Sequence, residues 1–216
     1  MTNIKNILTF KGVDKAYKKG GAEIYALKNV SFSLEPGKST LITGPSGAGK
    51  TTLIYLAGLM KKPSSGEISI NEIGTRNLNE NERSNLIRNE IGFIFRRSNL
   101  IGNLSVLENV MLPQISSNVE KAQKLLEKVG ISKWNRFPCD LSLEEEQKVT
   151  LARSMANDPS LILADEPTGE LDNDATYNFL NILNKIDNIG ILMTSDNDSL
   201  SESFNQTYKL EESELI

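Results

Sequence analysis

The distribution of hydrophobic residues divides the chain into short segments of strand-like and helix-like periodicity. Near the N-terminus, β-forming residues partly alternate with polar ones, which predicts strands paired in an antiparallel sheet. Further on, short apolar runs are followed by amphipathic segments, a pattern typical of buried strands connected by helices. The predicted strands are Ile7–Val13, Tyr25–Leu34, Ser39–Thr43, Glu67–Ile70, Ile91–Phe95, Leu161–Ala164 and, as the last core strand, Gly190–Thr194.

The predicted helices are concentrated in the middle of the chain. The segment Val119–Val129 places its apolar residues on one helical face, and Gly130 follows it as a C-terminal stop. The other predicted helices are Lys50–Met60, Ser105–Leu112, a helix that begins after Ser142, and Ala175–Ile186. This order predicts an α/β fold whose core is interrupted by a mostly helical insertion.

Composition narrows the classes of function. The chain has 38% hydrophobic and 24% charged residues, as expected of a domain that buries a core, and its net charge of -4 argues against a nucleic-acid partner. It contains no histidine, the commonest general base. The longest apolar-rich stretch, Leu53–Met60, is far shorter than the roughly 20 residues that cross a bilayer. We therefore expect any membrane role to require another chain.

A glycine-rich segment follows the predicted strand Ser39–Thr43 and opens the next helix. It matches the pattern G-x-x-x-x-G-K-[ST], in which glycines let successive backbone N–H groups surround a phosphate chain. Lys50 is expected to reach the β- and γ-phosphates of the bound phosphate chain, and the hydroxyl of Thr51 to bind Mg²⁺. The predicted phosphate-binding residues are Gly44, Pro45, Ser46, Gly47, Ala48, Gly49, Lys50, Thr51 and Thr52.

Two acidic residues end the predicted strand Leu161–Ala164. Asp165 is placed to hold Mg²⁺ through water, and Glu166 to orient or deprotonate an attacking water. An Asp-Glu pair after an apolar run is more often a solvated strand end. Its combination with a complete phosphate loop favours a nucleotide site with catalytic Glu166 and Lys50.

These motifs resemble the ATPase subunits of ABC transporters over nearly the whole chain. The run Asp165–Gly169 with Leu171-Asp172 is similar to that family's Walker B segment and D-loop, and Tyr17 lies where the family places an aromatic ring that stacks on adenine. Shorter segments, Gly92–Phe95 and Glu108–Pro113, resemble the group that serves lipoprotein release, macrolide export and antimicrobial-peptide resistance.

The resemblance implies a P-loop NTPase core, with a mixed sheet flanked by helices, an antiparallel β-subdomain and an inserted helical subdomain. Residues 1–216 would form one ABC ATPase domain, with 1–97 and 158–216 as the core and β-subdomain and 98–157 as the helical insertion. It further implies ATP and Mg²⁺ as ligands and an integral membrane permease as partner. A second ATPase subunit, in a homodimer or in a heterodimer with an intact copy, and a cytoplasmic position on the inner face of the membrane are also implied.

Three positions depart from the family's pattern. The family has Gln after the Phe of its Q-loop, where this chain has Arg96. Its signature Leu-Ser-Gly-Gly-Gln is replaced by Leu141-Ser142-Leu143-Glu144-Glu145, and its switch histidine aligns with Ser195. We therefore expect ATP to bind and its hydrolysis to be slow.

The altered signature has a direct physical consequence. Ser142 and Glu145 form an S-x-x-E capping box, and acidic residues fill the first helical turn that would otherwise face a partner's γ-phosphate. One carboxylate about 6 Å from one phosphate charge costs roughly 3 kcal/mol at an effective dielectric near 20. ATP is thus predicted to join two copies poorly.

Arg96 allows two interpretations. In the first, it pairs with Glu144 or Glu145 of a second copy and so offsets the altered signature. In the second, selection on these positions has relaxed because the subunit hydrolyses little, and Arg96 is simply solvated.

Alternative functions belong to other classes. A nucleotide-binding regulatory subunit with little turnover is the main one, and sustained phosphate release in the presence of the permease would separate it from a transport ATPase. Repair ATPases need a long coiled coil between the Walker motifs, and translation ATPases need two such domains, neither of which is present. A small P-loop kinase is disfavoured by the Asp165–Gly169 run.

Overall fold

Two sheets organise the protein, and the computed structural model describes residues 5–216. An antiparallel sheet has the strand order β2-β1-β4-β5, as expected from the alternating N-terminal pattern. Its strands are β1 (Leu8–Lys19), β2 (Ala22–Leu34), β4 (Ser65–Ile70) and β5 (Ile73–Gly74). Strands β1 and β2 are longer than predicted because they continue as a two-stranded hairpin to the Gly20-Gly21 turn.

The central sheet has the order β10-β9-β3-β8-β7-β6. All neighbouring strands are parallel except β10, which is antiparallel to β9, so the sheet is mixed as predicted. Its strands are β3 (Ser39–Thr43), β6 (Ile91–Phe95), β7 (Leu161–Asp165), β8 (Gly190–Ser195), β9 (Gln206–Glu211) and β10 (Glu214–Leu215). The prediction that Gly190–Thr194 is the last core strand is wrong, because β9 follows it and pairs with β3.

Within the described residues 5–216, six α-helices pack around the sheets. They are α1 (Lys50–Ala57), α2 (Glu80–Glu90), α3 (Val106–Met111), α4 (Val119–Lys128), α5 (Leu143–Ser154) and α6 (Asn173–Leu183). Helix α1 ends three residues before the predicted Met60, since Leu59 takes a left-handed conformation with φ of 57°. Helices α3, α4 and α5 fall in the predicted insertion 98–157, whose boundaries stay a prediction.

Two apolar clusters cover the two faces of the central sheet. Along β7, Leu161 and Leu163 face the cluster that includes α1 and the antiparallel sheet, while Ile162 and Ala164 face the cluster that includes α3 to α6. Burial on both faces explains why these strands are continuous apolar runs rather than alternating ones. The helices of the middle segment therefore share a core with the sheet.

Within residues 5–216, no helix is both long enough and apolar enough to span a bilayer.

Candidate nucleotide site

The predicted site residues meet at one edge of the central sheet. In the parallel register, the C-terminal residues of β3 and β8, Thr43 and Ser195, lie opposite each other. The C-terminal residues of β6 and β7, Phe95 and Asp165, do the same. Loops that leave the carboxyl ends of parallel strands form the usual ligand crevice of such sheets. The phosphate loop, Arg96 and Glu166 all follow these strand ends.

The phosphate loop folds tightly between β3 and α1. Gly49 has φ of 112°, and a Cβ atom there would lie 2.2 Å from the carbonyl oxygen of Ala26, so only glycine fits. Lys50 begins α1 and is buried, with Nζ 2.7 Å from the Gly44 carbonyl oxygen and 3.1 Å from that of Pro45. The N-terminus of α1 and the Lys50 ammonium thus supply positive charge where a phosphate would bind.

Asp165 is a buried carboxylate held by two hydroxyl groups. Thr194 donates to its Oδ1 at 2.9 Å and Thr51 at 3.3 Å. Burial raises the pKa of Asp165, and the hydrogen bonds from the two threonines oppose that rise only in part. A cation would compensate the desolvated charge.

These oxygen donors fit Mg²⁺, which proteins bind through one or two carboxylates together with substrate phosphates. The residues that the structure describes contain no group of three or more Asp, Glu, Cys or His that would form an all-protein metal site. Mg²⁺ at this edge would therefore rely on Thr51, Asp165 and the phosphates of the nucleotide.

Glu166 occupies a strained backbone position. Its φ is 48°, and its amide donates to Thr194 Oγ1 at 3.1 Å, so the surrounding structure holds this conformation. Its Oε1 lies 3.1 Å from Lys50 Nζ. The predicted base and the predicted phosphate-binding lysine are therefore in direct contact.

Arg96 reaches the other oxygen of the same carboxylate. Its Nη1 lies 3.5 Å from Glu166 Oε2, its Nη2 is 3.3 Å from the carbonyl oxygen of Gly169, and its Nε is 3.7 Å from Glu170. The neighbouring Arg97 points outward, and its closest acidic contact is Glu170 at 3.9 Å.

The altered signature forms a closed helix N-terminus. The Ser142 hydroxyl accepts from the Glu145 amide, and the Glu145 carboxylate accepts from the Ser142 amide, as the predicted capping box requires. Leu143, in the first position of α5, exposes 52% of its surface. An apolar side chain and a satisfied cap thus replace the open anion site of a glycine-rich helix start.

The signature glutamates already have cationic partners in their own chain. Glu145 pairs with Arg136, which holds the pKa of that carboxyl below its usual range, and Glu144 pairs with Lys148 at 2.7 Å. Since Arg96 also has partners in its own chain, pairs between two copies would require these contacts to break. The intersubunit pairing stays a prediction, and Arg96 is not merely solvated either.

Tyr17 and Ser195 lie at the borders of the site. Tyr17 is half-exposed at the antiparallel sheet, and its hydroxyl accepts from Lys61 Nζ at 2.9 Å. Burial alone would raise the pKa of Tyr17, but hydrogen bonds with Lys61 and with Thr52 of the first turn of α1 lower it overall. The Ser195 hydroxyl accepts from the Asn197 amide at 3.0 Å.

Two residues of the site were not predicted. Thr194 orients both acidic residues, and its place as the final residue of a predicted strand was an available signal. Gln147, buried on α5, donates to the carbonyl oxygens of Phe95 and Arg96 at 3.1 and 2.7 Å. Nothing in the local pattern distinguishes Gln147 from a solvated helix residue.

Comparison with known proteins agrees with this geometry. The ABC transporter family model matches residues 27–169. The lipoprotein-releasing system ATP-binding protein LolD of Rickettsia bellii is 37% identical over 97% of this chain and 97% of its own length. The macrolide export ATP-binding/permease protein MacB of Bdellovibrio bacteriovorus is 38% identical over 86% of this chain, which spans only 29% of that exporter.

Solved structures give the same result. A dimeric structure of the ABC transporter cassette MJ0796 superposes with a TM-score of 0.87 at 34% identity, over 96% of both chains. A post-hydrolysis state of that cassette, bound to ADP and Pi, superposes equally well at 33% identity. The chain therefore belongs to the ABC transporter family and is one of its ATP-binding subunits.

Proposed function

We propose that this subunit binds Mg²⁺-ATP at the carboxyl edge of the central sheet and couples binding and slow hydrolysis to a membrane permease. One observation carries the proposal. The pair Lys50-Thr51 lies far in sequence from the pair Asp165-Glu166, yet the two pairs form one contiguous cluster at the N-terminus of α1. Such a cluster combines a phosphate cradle, oxygen ligands for a hard cation and a carboxylate beside the γ-phosphate position.

Each predicted residue has a proposed role. Residues Gly44–Thr52 surround the phosphates, and Tyr17 stacks on adenine. The Lys50 ammonium exchanges its hydrogen bonds to the loop carbonyl oxygens for hydrogen bonds to phosphate oxygens. Thr51 and Asp165 hold Mg²⁺, which supplies charge neutralisation of the phosphates when bound. Glu166 orients the attacking water and accepts its proton.

The expected slow rate rests on three positions. Ser195 carries a hydroxyl where the family has a histidine, so it cannot supply a cation to the γ-phosphate. At the start of α5 the Glu145 N–H group is already bound to the Ser142 hydroxyl, and Glu144 adds negative charge there. Arg96 contacts the proposed base itself. These contacts also favour the alternative, a regulatory subunit with little or no turnover.

A groove between β6 and the end of α3 is the proposed contact for the permease. It has a volume of about 550 Å³, and Leu112 and Ile115 at its rim expose 58% and 59% of their surface. Phe93 and Phe95 stack within it, with ring centroids 5.8 Å apart. The MacB relative joins an ATP-binding part and a permease in one chain. Binding to a separate permease would place this subunit at the inner face of the membrane.

A second ATPase subunit is proposed as the other partner, because the related cassette is dimeric. The pair is either a homodimer or a heterodimer with a copy whose motifs are intact.

Calorimetric titration with Mg²⁺-ATP tests the nucleotide assignment. The wild-type protein should bind, and Lys50→Ala should weaken binding by roughly 100-fold, because a buried charged contact to phosphate is worth about 2–5 kcal/mol. Lys38→Ala, which changes an exposed lysine before β3, serves as the matched control. Equal affinity of wild type and Lys50→Ala would contradict the proposed site.

Sustained phosphate release by the permease-bound protein, abolished by Glu166→Gln, would identify a transport ATPase rather than a regulatory subunit.

A further inference from the structure

Both oxygens of Glu166 are engaged by cationic side chains. Lys50 Nζ is 3.1 Å from Oε1, and Arg96 Nη1 is 3.5 Å from Oε2. Only 21% of the Glu166 side chain is exposed. A carboxylate oxygen that receives a cationic donor has less capacity to accept a hydrogen bond from water, which is the act required of a general base.

The two cations differ in what nucleotide binding does to them. Lys50 begins α1 beside the phosphate loop, so the phosphates of ATP compete directly for its ammonium. Arg96 lies on the opposite side of Glu166, where Gly169 and Glu170 contact it. ATP binding therefore frees Oε1 from Lys50, while it leaves the contact of Arg96 with Oε2 in place.

Arg96 is held in this position from both its backbone and its side chain. Buried Gln147 donates to its carbonyl oxygen at 2.7 Å. The guanidinium passes so close to Gly169 that a Cβ atom at that residue would lie 3.2 Å from Arg96 Nε. The planar fork of arginine suits simultaneous contact with a carbonyl and two carboxylates.

We propose that Arg96 is a latch on the catalytic base: it holds Glu166 in an unproductive contact, so that ATP binds normally while hydrolysis waits for Arg96 to be displaced. The latch rests on the proposed function of this site as a slow ATPase. Arg96 acts here as a positioning residue through Glu166. A partner that draws the guanidinium away, such as a carboxylate of a second copy or of the permease, would start hydrolysis.

Single-turnover phosphate release at saturating Mg²⁺-ATP tests the latch. Arg96→Gln should raise the rate about tenfold, which is less than the roughly 10²–10⁴-fold that a fully effective general base contributes, while ATP affinity by calorimetry changes less than threefold. Arg97→Gln is the matched control, since it removes an equal charge from the adjacent, largely exposed residue and should leave the rate unchanged. Combining Arg96→Gln with Glu166→Gln should abolish the gain.

A measurement without nucleotide tests the contact itself. In urea unfolding of the apo protein, Arg96→Gln and Glu166→Gln should be non-additive, with a coupling of about twofold to fivefold in the unfolding equilibrium constant, as expected for a partly exposed ion pair. Arg97→Gln should be additive with Glu166→Gln.

The outcomes separate the latch from the function on which it rests. If ATP binds and Arg96→Gln leaves the rate unchanged or lowers it, the latch is wrong, and a lower rate would instead make Arg96 an aid to hydrolysis. Additive unfolding effects would also overturn it. Absence of ATP binding by wild type would overturn the proposed function. The urea unfolding of the single and double variants would still show whether Arg96 and Glu166 interact.

Discussion

Among individual residues, Asp165 combines burial with the negative charge that a metal ligand requires. Its raised pKa means that the folded chain holds the proton more tightly than the unfolded chain, whose carboxyl titrates near the ordinary value of 3.8. The contribution of this carboxyl group to the free energy of unfolding is therefore fully present below pH 3.8. That contribution is lost as the pH rises through the higher pKa of the folded state. At neutral pH the ionised group is a cost to the nucleotide-free protein.

Asp165→Asn should consequently stabilise the apo protein while it weakens Mg²⁺-dependent ATP binding. We expect a gain of order 1 kcal/mol in the free energy of unfolding at pH 7, the ordinary size of a single-residue effect, and no gain near pH 3. Urea titrations at several pH values measure this difference, with exposed Asp196→Asn as the control. Loss of stability at pH 7 would show that the hydrogen bonds from Thr51 and Thr194 outweigh the burial of charge.

The residues of the phosphate loop and the two acidic residues could be predicted from the sequence because they belong to contiguous motifs with a defined place at a strand end. The local pattern did not predict where Arg96 points. The position of a long, flexible side chain depends on neighbours from other segments, here Glu166, Gly169 and Glu170.

Among the elements, α5 shows how local chemistry closes a binding surface. Its capping box satisfies backbone N–H groups that an uncapped helix would leave for an anion. The charges of its first turn also interact favourably with the helix dipole. Stability of this helix and affinity for a partner's phosphate are therefore opposed.

Ser142→Ala should lower the free energy of unfolding by about 1 kcal/mol, the typical cost of losing an N-cap hydroxyl. Thermal or urea unfolding of the isolated subunit measures it, with Ser132→Ala in the exposed loop after α4 as the control. An effect no larger than that of the control would mean that Glu145 and its partner Arg136 hold the helix start without the serine.

Elements were predicted well where apolar residues set the period and poorly where they did not. Helix α2 was missed because only Leu86 of its eleven residues is buried, although the box formed by Asn79 and Glu82 marks its start. Strand β9 was missed because five of its six residues are not buried, so it carries no apolar run.

For the whole molecule, the altered signature predicts weak association of two ATP-bound copies. In a Glu166→Gln background that preserves ATP, replacing Leu143-Glu144-Glu145 with Gly-Gly-Gln should strengthen nucleotide-dependent dimerisation at least about tenfold. The substitution removes a repulsion of roughly 3 kcal/mol per phosphate charge, and each 1.4 kcal/mol corresponds to a factor of ten. Sedimentation velocity with and without ATP measures the dimer fraction.

The control for dimerisation removes two charges elsewhere, with Glu127→Gln and Glu202→Gln at exposed positions. A similar gain in this control would indicate that net charge, not the start of α5, limits association. No gain in the Gly-Gly-Gln variant would contradict the predicted repulsion.

Gln147 connects α5 directly to the end of β6 and to the segment that follows it. Its amide donates to the carbonyl oxygens of Phe95 and Arg96, while Arg153, about 1.7 turns further along the helix, donates to those of Ser98 and Asn99. The segment that carries Arg96 is thus hydrogen-bonded to α5 at two points. We therefore expect a displacement of α5, caused by a partner in the groove beside its C-terminal end, to move Arg96 and the capped helix start together.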